Sequence, residues 1–195
     1  MRRLILDAAK QLFVREGFDN VSMRRIAGAI DYSPAALYRY FKNKREILST
    51  LRAEGFERFV AGQRLRARTC ADPLVRLREG GVDYVRFALD EPEYYQLMFC
   101  TDCTEVDLEG ELAASSMESY ALFRSTVEEA VNLGFFGETD ADTVAFSLWS
   151  GTHGLAQLIN SGRVGLLSGV SDVEGLIAGV VDFMLRGAQG SGVAR

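Results

Sequence analysis

A chain of 195 residues that is 48% hydrophobic holds enough apolar mass for one or two cores, which excludes a disordered chain. Its apolar stretches are broken every few residues by charge or glycine, and Arg2 and Arg3 open an amphipathic pattern without a cleavage site, so neither a membrane span nor a signal peptide is read. The formal charge of −5 hides an asymmetry: residues 1–68 hold 15 Lys and Arg against 7 Asp and Glu, net +8, and residues 69–195 hold 7 against 20, net −13. A basic stripe at one end is the electrostatic footprint of a nucleic-acid-binding head, although two solvated faces that merely differ would give the same count.

Prolines occur only at 34, 73 and 92, and no run alternates apolar with polar residues, so the reading is all-α. Leu4 to Glu16 places Ile5, Ala8, Ala9, Leu12 and Phe13 on one helical face, with Gly17 and Phe18 suited to a left-handed C-terminal cap. Ser22 caps a second helix to about Ile30, with Val21 and Ile26 spaced as a hydrophobic staple. The same arrangement recurs eleven residues on: Ser33 caps, Pro34 takes the first helical position, Tyr32 and Leu37 form the staple, and the helix runs to about Phe41. Asp31 tolerates the left-handed backbone of the corner between them. Asn43 then caps a long helix towards Arg68, with Glu46 completing a variant capping box. Asp72-Pro73 marks a break, and the rest reads as helices over 73–90, 92–100, 108–133, 141–161 and 172–186.

A short helix set steeply on a preceding one through a tight turn is a helix-turn-helix, whose second helix enters the major groove. Leu37 and Phe41 share its inward face, leaving Ala35, Ala36, Tyr38, Arg39 and Tyr40 for DNA. The alanines allow close approach to base edges and methyl contact with thymine, the tyrosines reach phosphates or bases, and Arg39 meets a phosphate or a guanine. Lys42 and Lys44 flank the start of the fourth helix, where free amides favour an anion, and Arg24 and Arg25 do the same for the second. Singly, each also reads as an ordinary surface charge.

The stretch Val21-Ser-Met-Arg-Arg-Ile-Ala-Gly-Ala-Ile-Asp-Tyr-Ser-Pro-Ala-Ala-Leu-Tyr-Arg-Tyr-Phe-Lys-Asn-Lys-Arg-Glu-Ile-Leu48 closely resembles the signature of the tetracycline-repressor family. That resemblance implies a DNA-binding head over 1–48 and an all-helical body over 49–195 that binds a small ligand, its last two helices forming a four-helix dimer interface. Residue by residue, it places Ser22, Arg24, Ser33, Ala35, Ala36, Tyr38, Tyr40 and Lys44 on positions that commonly touch DNA, and Pro34 lies within the same turn. Asp31 departs from a usual turn glycine, Tyr32 from an aliphatic residue, and Ala35-Ala36 from a frequent Gly-Thr pair. Trp149, His153 and Gly154 resemble a body subtype named for its Trp-x-x-x-His-Gly pattern.

Aromatic and soft residues crowd the body, and Phe87, Tyr94, Tyr95, Met98, Phe99, Met117, Tyr120, Phe123, Trp149 and His153 are the candidates to line an effector pocket. At helical spacing most of them also read as core, and His153 also reads as a histidine satisfied within the body. The effector implied is a small apolar or aromatic molecule. Leu176, Val180, Phe183 and Met184 belong to a helix apolar around most of its circumference, and Val144, Leu148, Thr152, Leu155 and Ile159 offer a neighbouring stripe, so a homodimer is expected. Two-fold symmetry then implies a palindromic double-stranded operator. Cys70, Cys100 and Cys103 make no disulfide framework, which fits the cytoplasm, with residence at the nucleoid when DNA is bound.

Two rivals to a ligand-responsive repressor are a redox-responsive regulator using Cys100 and Cys103 and a helical enzyme. Asp102 would raise a neighbouring thiol pKa rather than activate it. One histidine, no phosphate-binding glycine loop and no metal-ligand spacing leave an enzyme without machinery, and no cofactor or metal is implied.

Overall fold

The computed structural model describes residues 1–99 and 110–188, with the side chains of 110–113 and 168 excepted. Cys100 and Cys103 lie outside the described residues. Among those described there are helices and turns, no strand, and no helix long and apolar enough to cross a membrane. The chain divides into two compact units, 1–58 with 91–116, and 59–90 with 117–195.

In the first unit, α1 (Arg2–Glu16) buries Ile5, Leu6, Ala9, Leu12 and Phe13, the stripe expected from its periodicity. Gly17 follows with φ 81° and ψ 145°, a positive φ on an extended backbone rather than the left-handed helical cap expected, and its N–H still reaches the Phe13 carbonyl. Phe18 turns back onto Phe13, the ring centroids lying 5.2 Å apart. α2 (Met23–Ala29) begins where the Ser22 hydroxyl accepts the Arg25 N–H at 3.1 Å, and both Val21 and Ile26 are buried. Asp31 has φ 57°, the only positive φ at a non-glycine position among the described residues, and it turns the chain towards Ser33.

α3 is Pro34–Leu37, with Ser33 capping the Ala36 N–H at 3.3 Å. It is shorter than expected because the Leu37 carbonyl takes both the Tyr40 N–H at 2.9 Å and the Phe41 N–H at 3.1 Å. That tightened last turn carries Phe41 inward. The Tyr32 half of the second staple is not buried: its ring is largely in solvent. α4 (Lys44–Thr69) opens on a reciprocal cap, in which Asn43 Oδ1 accepts the Glu46 N–H at 2.9 Å and the Glu46 carboxylate accepts the Lys42 N–H at 2.6 Å.

α6 (Pro92–Phe99) folds with this unit although residues 59–90, which precede it in sequence, belong to the other. Gly55 explains the fit on the α4 side, since a Cβ there would lie 2.4 Å from Met98 Sδ and 3.2 Å from the Tyr94 ring. Tyr94 is fully buried, donates its hydroxyl to Glu54 at 3.0 Å, and has Lys10 Nζ 4.4 Å and the Arg58 guanidinium 4.6 Å from its ring centroid. Lys10 pairs with Glu93 at 2.7 Å and Arg58 with Glu91 at 2.5 Å, so both cations near the ring are neutralised from α6 or the residue preceding it.

The second unit is organised around α5 (Pro73–Asp90) and α8 (Ala141–Asn160). Leu77, Val82, Tyr84, Val85 and Ala88 are buried on α5, and Val144, Ala145, Leu148, Thr152, Leu155 and Ala156 on α8. α10 (Val173–Ala188) adds Ile177, Val181 and Leu185. Gly81 admits it: a Cβ there would meet Val181 at 3.2 Å and Thr152 at 3.4 Å. α7 (Gly110–Asn132) contributes Val127 and Ala130, and two ion pairs from α5 hold α10, Arg78 bidentate to Asp182 at 2.6 Å and Arg86 with two donors on one Glu174 oxygen, the shorter at 2.6 Å. The sequence did not foresee α9 (Arg163–Ser168), a six-residue turn bounded by left-handed Gly162 and Gly169.

Candidate nucleic-acid interface

The segment after α2 sorts its side chains by face. Leu37 and Phe41 are 0% and 1% exposed, whereas Tyr38 and Tyr40 are 56% and 43% exposed, with Ala35 and Arg39 also outward and Pro34 and Ala36 half-buried. The split follows from helical spacing: residues four apart share the inward side, and those between must face away. The guanidinium of Arg2 backs the buried ring of Phe41 at 4.9 Å. Ser22 and Ser33 spend their oxygen lone pairs as caps but keep hydroxyl protons that can be donated to a phosphate. Exposed tyrosines with alanines at the tip suit methyl and hydroxyl contacts more than bidentate base pairing.

The cations divide. Arg24, Arg39 and Lys42 are exposed and make no ion pair or side-chain hydrogen bond among the described residues. Arg25 instead forks onto Glu16, with Nη2 at 2.7 Å and Nε at 3.2 Å from its oxygens, and this pairing holds the Glu16 carboxyl below the usual carboxylate range. Lys44 donates its ammonium to the carbonyls of Phe18 at 2.7 Å and Asp19 at 3.2 Å, 4.3 Å from the Phe18 ring centroid. Of the amides around the start of α4, the Lys42 and Glu46 N–H groups are already taken by the reciprocal cap. Arg45, exposed and without a partner among the described residues, is a cation that the sequence reading passed over.

The effector candidates fall into two groups. Tyr94, Tyr95, Met98 and Phe99 belong to the first unit, the Phe99 ring meeting Phe56 at 5.5 Å and Tyr95 at 5.4 Å. Phe87, Met117, Tyr120, Phe123, Trp149 and His153 belong to the second, where Met117 is 66% exposed and Phe123 half-buried. Two residues the sequence did not single out, Phe59 and Tyr84, complete the second group: Phe59 meets Tyr84 at 5.5 Å and Phe87 at 5.3 Å, and Tyr120 meets Trp149 at 6.4 Å. Tyr84 is buried in helical register with Leu77 and Ala88, which marks it as core, but its partnership with α8 is not written in that spacing.

The partnership is a polar chain inside the aromatic group. Trp149 Nε1 donates to the Tyr84 oxygen at 3.3 Å, and the Tyr84 hydroxyl and His153 Nδ1 are hydrogen-bonded at 3.0 Å. Burial pushes the His153 pKa down. Above the unfolded value, about 6.5, both states are neutral at this group; below it the unfolded chain takes a proton that the folded one resists, so stability falls as pH drops towards the folded pKa. The chain has one histidine. Its melting temperature should therefore drop between pH 7 and 5.5, and thermal melts of His153→Gln should show a smaller drop; equal drops would exclude His153 as the source.

The expected dimer stripe on α8 is already used. Val144, Leu148, Thr152 and Leu155 are buried within their own unit, where α5 supplies the apolar cover that the sequence reading assigned to a second copy. Phe183 is 71% exposed on α10, with Leu158 also outward on α8 and Ile159, Leu176, Val180 and Met184 half-buried. Met184 Sδ rests against Gly151, where a Cβ would approach it to 2.1 Å, and a groove of about 340 Å³ opens beside it between Ser147 and Gly187.

Residues 5–51 match the family model described as bacterial regulatory proteins, tetR family, and residues 77–184 match a tetracyclin repressor-like C-terminal domain. The HTH-type transcriptional repressor Rv1474c of Mycobacterium tuberculosis is 31% identical over 94 residues, 48% of this chain and 43% of that protein. The HTH-type transcriptional activator FasR of Mycolicibacterium smegmatis is 30% identical over 101 residues, 52% of this chain and 46% of that one. The matched stretch thus spans under half the length of these curated relatives. A solved structure of a protein of unknown function from Rhodococcus sp. RHA1 superposes with a TM-score of 0.76 at 26% identity, covering 97% of this chain and 95% of its own.

Proposed function

The chain belongs to the tetracycline-repressor family, and from that premise we propose that it is a ligand-responsive transcriptional repressor, cytoplasmic, that binds a palindromic operator as a homodimer. The observation that carries the DNA half is the outward display of Tyr38, Arg39 and Tyr40 from a turn whose Leu37 and Phe41 are locked inside. Such a turn enters a major groove with its tyrosine hydroxyls and guanidinium at base edges and phosphates, while the capping serines and exposed cations set register. In this reading residues 1–48 are the DNA-binding part and 49–195 the ligand-binding and dimerisation part.

Dimerisation through α8 and α10 would cover Phe183 and Leu158 and set two recognition turns at successive major grooves, about 34–36 Å apart. The effector half is supported by the aromatic residues around the Trp149–Tyr84–His153 chain, which suit an apolar or aromatic molecule with one polar group. An effector that binds one conformation more tightly shifts operator affinity by that difference.

In-vitro selection of duplexes by the full chain, followed by binding across a salt series, tests the proposal. A selected palindrome bound with a steep salt dependence is expected; no enrichment and no salt-dependent affinity would overturn it. A sedimentation mass that stays monomeric at every concentration would overturn the dimer.

A further inference from the structure

Six cations lie between residues 22 and 45, namely Arg24, Arg25, Arg39, Lys42, Lys44 and Arg45, and they do two different jobs. Glu16 at the end of α1 is forked by Arg25 from α2, and the carbonyls of Phe18 and Asp19, two and three residues on, are held by Lys44 from α4. Both contacts converge on residues 16–19, so the turn after α1 is the point to which α2 and α4 are tied. A guanidinium already paired with a carboxylate gains little by changing partners, because the pair is neutral before DNA arrives. An ammonium on two carbonyls and an aromatic face must give up two charge-assisted bonds to swing outward.

Arg24, Arg39, Lys42 and Arg45 have no such ties among the described residues. Lys42 directly follows buried Phe41 at the end of the recognition turn, and Arg45 lies three residues further, at most about 10 Å along the chain. That span is about one Debye length at 0.1 M salt, so both side chains sit within electrostatic reach of a duplex that meets the turn.

Building on the operator-binding reading, we infer that these six cations comprise two internal braces, Arg25 and Lys44, and four phosphate-facing groups, with Arg45 taking the place on DNA that the family resemblance gives to Lys44. Lys44 is then a positioning residue: it holds the turn that fixes how α2 and α3 are presented, and its charge is spent inside the protein.

The test is the slope of log affinity against log salt for a selected operator duplex, measured for the full-length wild type, Arg45→Gln and Lys44→Gln, with melting temperatures alongside. Arg45→Gln should make the slope shallower by about 0.9 per bound chain and leave the melting temperature unchanged. Lys44→Gln should lower the melting temperature and shift the slope less than Arg45→Gln does. An Arg45→Gln slope within half of that change from wild type, or a Lys44→Gln shift equal to or larger than that of Arg45→Gln, overturns the division. Because Arg45 is exposed, its variant remains decisive even if Lys44→Gln does not fold. A wild type without salt-dependent duplex affinity would instead overturn the operator-binding reading itself.

Discussion

Leu37→Ala is expected to cost the head about 2–5 kcal/mol, the range for truncating a fully buried leucine, because its side chain has no exposed surface and α3 packs against α2. Against a total of roughly 5–15 kcal/mol for a typical domain, that is a large share. α3 has only four residues and cannot persist by its own hydrogen bonds, so its position depends on Leu37 and Phe41 filling their pocket. Chemical denaturation should therefore show a lower midpoint, and operator binding should fail at temperatures where the wild type still binds. A Leu37→Ala protein with wild-type stability would show that the recognition turn is held by something other than its inward residues.

The complementary change is Tyr38→Ala with Tyr40→Ala. Both rings stand largely in solvent, so the melting temperature should move by no more than about 0.5 kcal/mol would shift it. Affinity for the selected operator should nevertheless drop on the order of 10- to 100-fold, the loss expected when a few hydroxyl and ring contacts of about 1–3 kcal/mol disappear. Affinity for unrelated duplex DNA should fall less, because the phosphate-facing cations remain. If specific and nonspecific binding fell equally, the tyrosines would be holding phosphates rather than reading sequence. Together the two substitutions separate the inward and outward faces of one turn, the first acting on stability and the second on recognition.

The local devices of the head were legible in the sequence because each is made by residues a few positions apart. Ser22, Ser33 and Asn43 cap the helices they precede, Asp31 takes the positive φ of the corner, and Leu37 and Phe41 face inward. The family signature rests on the same short-range grammar. Its limits appear where a side chain chose between local and distant partners. The carbonyls of Phe18 and Asp19 come within reach of Lys44 only after α1 and α4 have packed, so a lysine read as free for phosphate is bonded internally.

In the body the same limit explains the α8 stripe. Helical period shows that Val144, Leu148, Thr152 and Leu155 share a face, but period cannot say what covers it. Close approach of α5, with Gly81 admitting Val181 of α10, covers it from within the chain and leaves Phe183 outside. The pairing of Tyr84 with His153 and Trp149 joins residues 65 to 69 positions apart, and the burial of Tyr94 beside Lys10, Glu54 and Arg58 joins α6 to α1 and α4. The sequence by itself determined the all-helical class, the basic head and its capped recognition turn, since these depend on composition and on spacings of three or four residues. Tertiary structure alone decided which cations stay outside, which apolar stripe remains uncovered and which polar groups pair in the body, because burial and hydrogen-bond partnership are set by contacts distant in the chain.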